Sequence, residues 1–441
     1  MNRSIDDVLS LNHNEEPLMK RHLCAIFAVL VAKSTLQHSI YVFYGPLLVV
    51  RLYEGSSTVL GIVTGVGTLC QLIGIPCAVL SDKVEFLSGR RRPIIIWGSF
   101  LMMIGAILWL LIDFLDVSIF VQRTLFVSGF ASAASGINIV QIFHVALIVD
   151  AFPPSSIPKS RSQYWMVLGQ FIGFVIATIA FQGDMDLIRF NIMFLCVTIF
   201  STMSTLCVCK EKPFKRKTGN SFKFCSVLDD LEFSASENWN FVIFGYIQLL
   251  FFTTFAIHSY VFFFMRDIFN STLENLPMII ICLAFDPRAS LRDLLLLNYH
   301  GNIPYHVCIL LRIISLVALI FGTEGFVILG FYIFFCSSYL FFVHFYDTVP
   351  LYLPPKKQAG TYGALLAFPA VIGLALGCIT YGVILSFFPD GEPEPNIPQQ
   401  YTRDGYNACW IVSICILVLS SLITCRLKRP TSEIKEMYES V

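Results

Sequence analysis

The chain has 441 residues, 56% of them hydrophobic and only 14% charged, with a mean hydropathy of +0.71. A soluble domain averages roughly 25% charged residues, so this composition excludes a chain built mainly of water-soluble domains. Lys plus Arg equal Asp plus Glu at 30 each; the total is silent about partners, and the placement of the charges has to speak instead.

A helix that crosses a bilayer needs about 20 apolar residues. Runs of that length predict spans near 22–45, 57–81, 93–113, 122–149, 162–183 and 187–209, then near 240–265, 273–297, 305–322, 324–346, 361–388 and 405–426. The expected fold class is therefore an all-α polytopic membrane protein of about twelve transmembrane helices in two six-helix halves. The halves are 22–209 and 240–426, with a tail at 1–21, a linker at 210–239 and a second tail at 427–441. No cleavable signal is expected, because the first apolar run is long and its N-terminal flank carries mixed charges.

The first span carries Lys33, Gln37 and His38. Lys33 falls roughly 16 Å into the bilayer at 1.5 Å per residue. Lys33, Gln37 and Tyr41 follow i, i+4, i+8 and share a face, which should point at protein or water, because a charge at that depth facing lipid costs several kcal/mol. Between the second and third spans lies Ser81–Pro93, read SDKVEFLSGRRRP. It is too short to be a domain, and Arg90, Arg91 and Arg92 hold it at the aqueous surface. Pro93 suits the first turn of the next helix, where a missing N–H costs nothing. The fourth span carries Asn138, Gln141 and His144 and ends at Asp150.

The stretch Lys210–Asn240 is basic and then acidic, and reads as a solvated linker between halves. The halves echo each other. DAFPPSSIPK from Asp150 and DTVPLYLPPK from Asp347 share Asp, two prolines and Lys at one offset, and His38-Ser39 of the first span is matched by His258-Ser259 of the seventh. Parallel repeats of about six spans follow. The eighth span is irregular, with Asp286, Pro287, Arg288, Arg292 and Asp293 behind a short apolar run.

Most Lys and Arg fall in the two tails, the linker and the loops on that side. Arg51, Arg123, Arg189, Arg266 and Arg403 lie on the other side, and Lys33 and Arg312 lie inside spans. The positive-inside rule then places both termini in the cytoplasm. The expected location is a multi-pass protein of the plasma membrane rather than an internal organelle.

The SD…GRRRP pattern between the second and third spans resembles the glycoside–cation symporters of the major facilitator superfamily, a group that includes the plant sucrose–proton symporters and the related animal membrane-associated transporters. Leu36-Gln37 resembles their first-span Leu-Gln, and Asn138 and Gln141 followed by Asp150 resemble their fourth-span Asn-x-x-Gln ending in Asp. The resemblance implies transport of a small polar solute, most of all a sugar such as sucrose or a related glycoside, by alternating access with proton symport. Lys33, Gln37, His38, Asn138, Gln141, His144 and His258 are the expected substrate-binding or coupling residues. Asp82, Arg90, Arg91, Arg92, Asp150, Arg161 and Asp347 are the expected cytoplasmic gate. The pattern departs from that group in three places. No carboxylate stands one turn before Asn138, Val145 stands where plant members have an arginine, and Ile142-Phe143 replaces Gly-Pro.

Against this stand an uncoupled sugar facilitator and a non-transporting scaffold of the same fold. Polar residues in membrane bundles commonly serve helix–helix hydrogen bonds, and for any one His or Gln that role is the simpler one. For Lys33 the pathway role is favoured. A histidine titrating near neutrality could replace the missing carboxylate. No enzyme is expected, since no nucleophile–base or metal-ligand set stands out. No cofactor, metal or nucleic acid is expected either. The expected partners are a small solute, the protons that symport implies, and the lipid bilayer.

Overall fold

The computed structural model describes residues 31–33, 35–37, 39–77, 91–151, 168–169, 172–173, 175, 187–208, 239–269, 303–348, 359–391 and 398–427. The architecture is helical, two six-helix halves of the major facilitator fold. Among the described residues, seven helices are long and apolar enough to cross a membrane. In hydrocarbon each backbone N–H and C=O needs an internal partner, which is why these apolar runs become helices rather than open strands. The face of the bundle that holds Glu54, Gly55 and Gln399 is called distal below.

The spans run longer than their apolar cores. The first reaches Tyr53, past the expected end near 45. The helix accommodates Pro46 by widening to a π-helix over Ser39–Tyr44 and restarting as an α-helix with that proline in its first turn. The extension carries Arg51 into a pair with Asp113 of the third span at 2.5 Å. The fourth span is Ile119–Ala151. The seventh reaches Phe269 as two α-helices, Trp239–Thr253 and Ile257–Phe269, joined by a 3₁₀ turn at Thr254–Ala256. The second span likewise passes from α-helix into a 3₁₀ turn at Gln71–Ile73. The stretch 273–297 lies outside the described residues, as does nearly all of 162–183.

Within the first half, the third span packs along the fourth and against the sixth. In the second half, the ninth lies along the tenth and the seventh along the eleventh. The halves meet where the second span lies on the eleventh and the first touches the seventh. Small residues allow that close crossing, as in membrane helix pairs generally. A Cβ on Gly61 would come within 2.5 Å of the Cys378 carbonyl, and one on Gly382 within 2.6 Å of the Ser57 carbonyl. Away from these seams the surface is apolar: Trp97, Phe120, Phe200, Phe321 and Phe387 are exposed. So large an uncovered apolar surface fits lipid as the solvent.

Candidate functional site

In the first half, the irregular turns bring three polar groups together. At the 3₁₀ turn the Gln71 carbonyl, which also accepts from the Gly74 amide, accepts a hydrogen bond from Asn138 Nδ2 of the fourth span. The Gln71 amide donates to Tyr41 Oη of the first span at 2.8 Å. One turn earlier on the fourth span, Ser135 Oγ reaches the Cys70 carbonyl at 3.2 Å. Tyr41, Gln71 and Asn138 thus form a chain across three spans, with one Asn138 side-chain N–H in a helix–helix bond. Gln71 was not expected here. The signal for it was a glutamine inside an otherwise apolar run.

Lys33 is buried, with 5% of its surface exposed. No described residue hydrogen-bonds or ion-pairs with it. Beside it on the first span, Thr35 Oγ1 donates to the Gly169 carbonyl of the fifth at 2.8 Å. Gln37 and Gln141 are half-buried. His144 lies on the described helix of the fourth span, but its side chain is outside the described residues, as is all of His38.

In the second half, His258 is buried just after the 3₁₀ turn. Its ring stacks on Phe255 at 5.2 Å and meets the edge of Phe335 at 4.7 Å. Next to it is a group the sequence placed inside a span without assigning it to the site. Arg312 of the ninth span is fully buried. Its guanidinium lies between the rings of Phe251 and Phe334, at 4.1 and 4.0 Å from their centroids. Nε donates to Ser337 Oγ at 3.3 Å, Nη1 to Thr254 Oγ1 at 3.1 Å and to the Phe251 carbonyl at 3.4 Å, and Nη2 to Ser338 Oγ. Each of those hydroxyls sends its own proton to a backbone carbonyl: Ser337 and Ser338 to Phe334, Thr254 to Phe251. Their lone pairs are left for the guanidinium. The charge is held by neutral oxygens and two π faces, and the turn in the seventh span is pinned to the ninth and tenth.

The distal face is tied shut between the halves. Gln399 N donates to the Glu54 carbonyl at 2.7 Å. Tyr401 Oη accepts from Ser57 N at 2.7 Å and donates to the Gly55 carbonyl at 3.2 Å. Ser57 Oγ reaches the Gly382 carbonyl at 3.0 Å, and Tyr260 Oη the Ser57 carbonyl at 3.2 Å. Gly55 makes the turn possible: its φ of +78° is in the left-handed region, and a side chain there would meet Gln399. No local sequence pattern signals this closure, because its partners are hundreds of residues apart.

Of the expected gate, Arg91 and Arg92 have described side chains. Arg91 is buried, and its carbonyl accepts from the Ile94 and Ile95 amides at the start of the third span. Asp150 and Asp347 sit on described helix, at the ends of the fourth and tenth spans, with side chains outside the described residues; Asp82, Arg90 and Arg161 lie outside them altogether.

Residues 46–329, well over half of the chain, match the BT1 family. None of the curated proteins matches the chain in sequence. Three solved structures are similar in fold. The human organic anion transporter MFSD10 aligns with a TM-score of 0.66 at 12% identity, over 92% of this chain and 99% of that one. A bacterial homologue of the human lysosomal transporter Spinster, inward-facing and occupied, gives 0.65 at 14%, over 95% and 98%. A D-xylose–proton symporter gives 0.65 at 14%, over 93% and 98%.

Proposed function

The chain belongs to the BT1 family and is a membrane transporter of the major facilitator type, and from that premise we propose that it carries a small polar solute by alternating access, with a sugar or glycoside as cargo and protons as the coupling ion. The observation that carries the alternating-access reading is the distal closure. Its hydrogen bonds run from the 1–2 turn of one half to the seventh and eleventh spans and the 11–12 segment of the other. Bonds placed there hold one side shut and can be exchanged for an opening when the halves rock.

In this reading both termini are cytoplasmic and the distal face is the outside of a plasma-membrane protein. The terminal face carries the counterpart gate, in which Asp82, Arg90, Arg91 and Arg92 pair with one another and with Asp150, Arg161 and Asp347 when the cytoplasmic side is shut. Lys33, Gln37 and His38, with Asn138, Gln141 and His144, face the solute from the first half and His258 from the second. The sugar preference rests on the SD…GRRRP resemblance. Lys33 favours a second reading, a solute carrying an anionic group. A buried ammonium needs a counter-charge, and no described residue supplies one.

The test is flux into liposomes holding the purified protein, across a panel of neutral sugars and anionic analogues, with and without a pH gradient. Uptake of a sugar stimulated by an inward proton gradient is the expected result. Uptake without that stimulation would leave facilitated diffusion, and no flux of any solute would leave a scaffold. For the gate, Arg91→Lys keeps the charge but loses the planar fork that a carboxylate pairs with. It should lower flux several-fold at normal surface abundance, and unchanged flux would leave the arginines as topological anchors.

A further inference from the structure

The part of the distal closure made by residues 399–401 leads back to one carboxylate that the sequence did not single out. Asp267, near the distal end of the seventh span, has a fully buried side chain. Its Oδ1 accepts from Arg266 Nε at 2.6 Å. Its Oδ2 accepts from Tyr406 Oη at 2.7 Å and from the backbone N of Tyr401 at 3.2 Å. Tyr401 is the residue whose hydroxyl reaches Ser57 and Gly55 of the other half. Arg266 in turn donates from Nη2 to the Gln399 carbonyl at 2.7 Å, and Gln399 N holds the Glu54 carbonyl. Both contacts that residues 399–401 make with the other half therefore lead back to Asp267, one by way of Tyr401 and one by way of Arg266, while the Ser57–Gly382 and Tyr260–Ser57 bonds stand apart from it.

We propose that Asp267 is a proton-operated latch: ionised, it holds the distal side shut, and protonated, it lets that side open. The groups that face it are Arg266 on its own helix, Tyr406 on the twelfth span and Tyr401 on the segment before that span. Arg266 Nε and the Tyr401 amide can only donate. A proton on Oδ1 would confront the Arg266 N–H and remove the ion pair. A proton on Oδ2 would confront the Tyr401 N–H unless it turned to Tyr406, whose hydroxyl would then have to reverse. In every case the carboxyl loses its charge, and with it the charge assistance of the bonds that position residues 399–401. Charge-assisted bonds of this kind are roughly twice as strong as neutral ones, so the loss falls on the cross-half contacts rather than on the helices. Asp267 is a positioning residue in this scheme, acting through Tyr401 and Arg266 without touching solute. The proposal rests on the alternating-access reading above.

The experiment measures the distance across the distal face in full-length protein in vesicles. Spin labels are attached through unnatural amino acids at positions 116 and 390, exposed aspartates of the two halves, leaving the cysteines untouched. On lowering the pH from about 7.5 to about 5, the wild type should shift toward a longer, open distance by about tenfold in the open-to-closed ratio, the scale of one pKa-unit-sized interaction. Asp267→Asn should be open at both pH values. Asp267→Glu, which keeps the charge, should retain the pH response and guards against a fold defect in the amide variant. Tyr401→Phe should open the face at either pH, by removing the hydroxyl beyond the latch. A pH response in Asp267→Asn equal to the wild type, or none in the wild type while Tyr401→Phe opens, would overturn the latch and leave the rocking motion standing. A fixed short distance in every variant would overturn the rocking reading itself.

Discussion

Two buried cations sit in opposite halves of this protein, and they are housed differently. Arg312 is closed in by two phenylalanine faces and four oxygen acceptors, which take four of its five N–H donors. Lys33 is nearly as deeply buried, yet no described residue accepts its hydrogen bonds. The guanidinium is planar, spreads its charge and offers five donors in a fixed fork, so neutral groups can hold it dry. An ammonium is a compact, strongly hydrated charge with no flat face to stack. The comparison teaches that burial of a charge in a membrane bundle is not by itself a mark of function. What matters is whether the protein has already supplied every partner. On that criterion the expected roles are a structural pin for Arg312 and a place in the transport path for Lys33.

The sharpest way to break this comparison is Lys33→Met, which removes the charge at similar length and low polarity. Uptake should fall by at least about a hundredfold, the scale of a lost charged contact to the moving solute, with surface abundance near wild type. Normal abundance with normal uptake would take Lys33 out of the site. Arg312→Lys should act on folding instead. The ammonium cannot fill the fork or lie between Phe251 and Phe334, and leaving a charge buried and half-satisfied costs about 3 kcal/mol. A lower melting temperature in detergent and lower abundance are expected, with the affinity of the remaining protein unchanged. A variant that folds normally but loses transport would move Arg312 into the path beside Lys33. Phe334→Leu is the smallest of the three. It removes one π face and leaves every hydrogen bond of Arg312 in place, and a stability loss of about 1–2 kcal/mol is expected. No loss would mean that the hydroxyls of Thr254, Ser337 and Ser338 hold the charge without the rings.

Much of the candidate site was legible because charge and polarity are conspicuous in an apolar sequence. Lys33, Gln37, Asn138 and His258 could be picked out for that reason alone, and three of them, Lys33, Asn138 and His258, are buried. Gln71 and Arg312 were as conspicuous but carried no pattern linking them to a partner. The partners of Gln71 are a tyrosine thirty residues back and an asparagine sixty-seven residues on. Those of Arg312 are common Phe, Ser and Thr. The π turn before Pro46 was hidden because Gly-Pro ordinarily reads as a helix end.

Sequence by itself determined the solvent of this protein, its helical class and the two-half arrangement. Twenty-residue apolar runs have one stable form in hydrocarbon, and a repeated Asp-Pro-Pro-Lys motif records the repeat whatever the packing. Only the tertiary structure decided which polar residues are spent on holding helices together, as Gln71 and Thr254 are. It also decided that the distal face is closed through Tyr401 and Asp267. Hydrogen-bond satisfaction is a property of neighbours, and here the neighbours are brought together by helix crossings that no local pattern encodes.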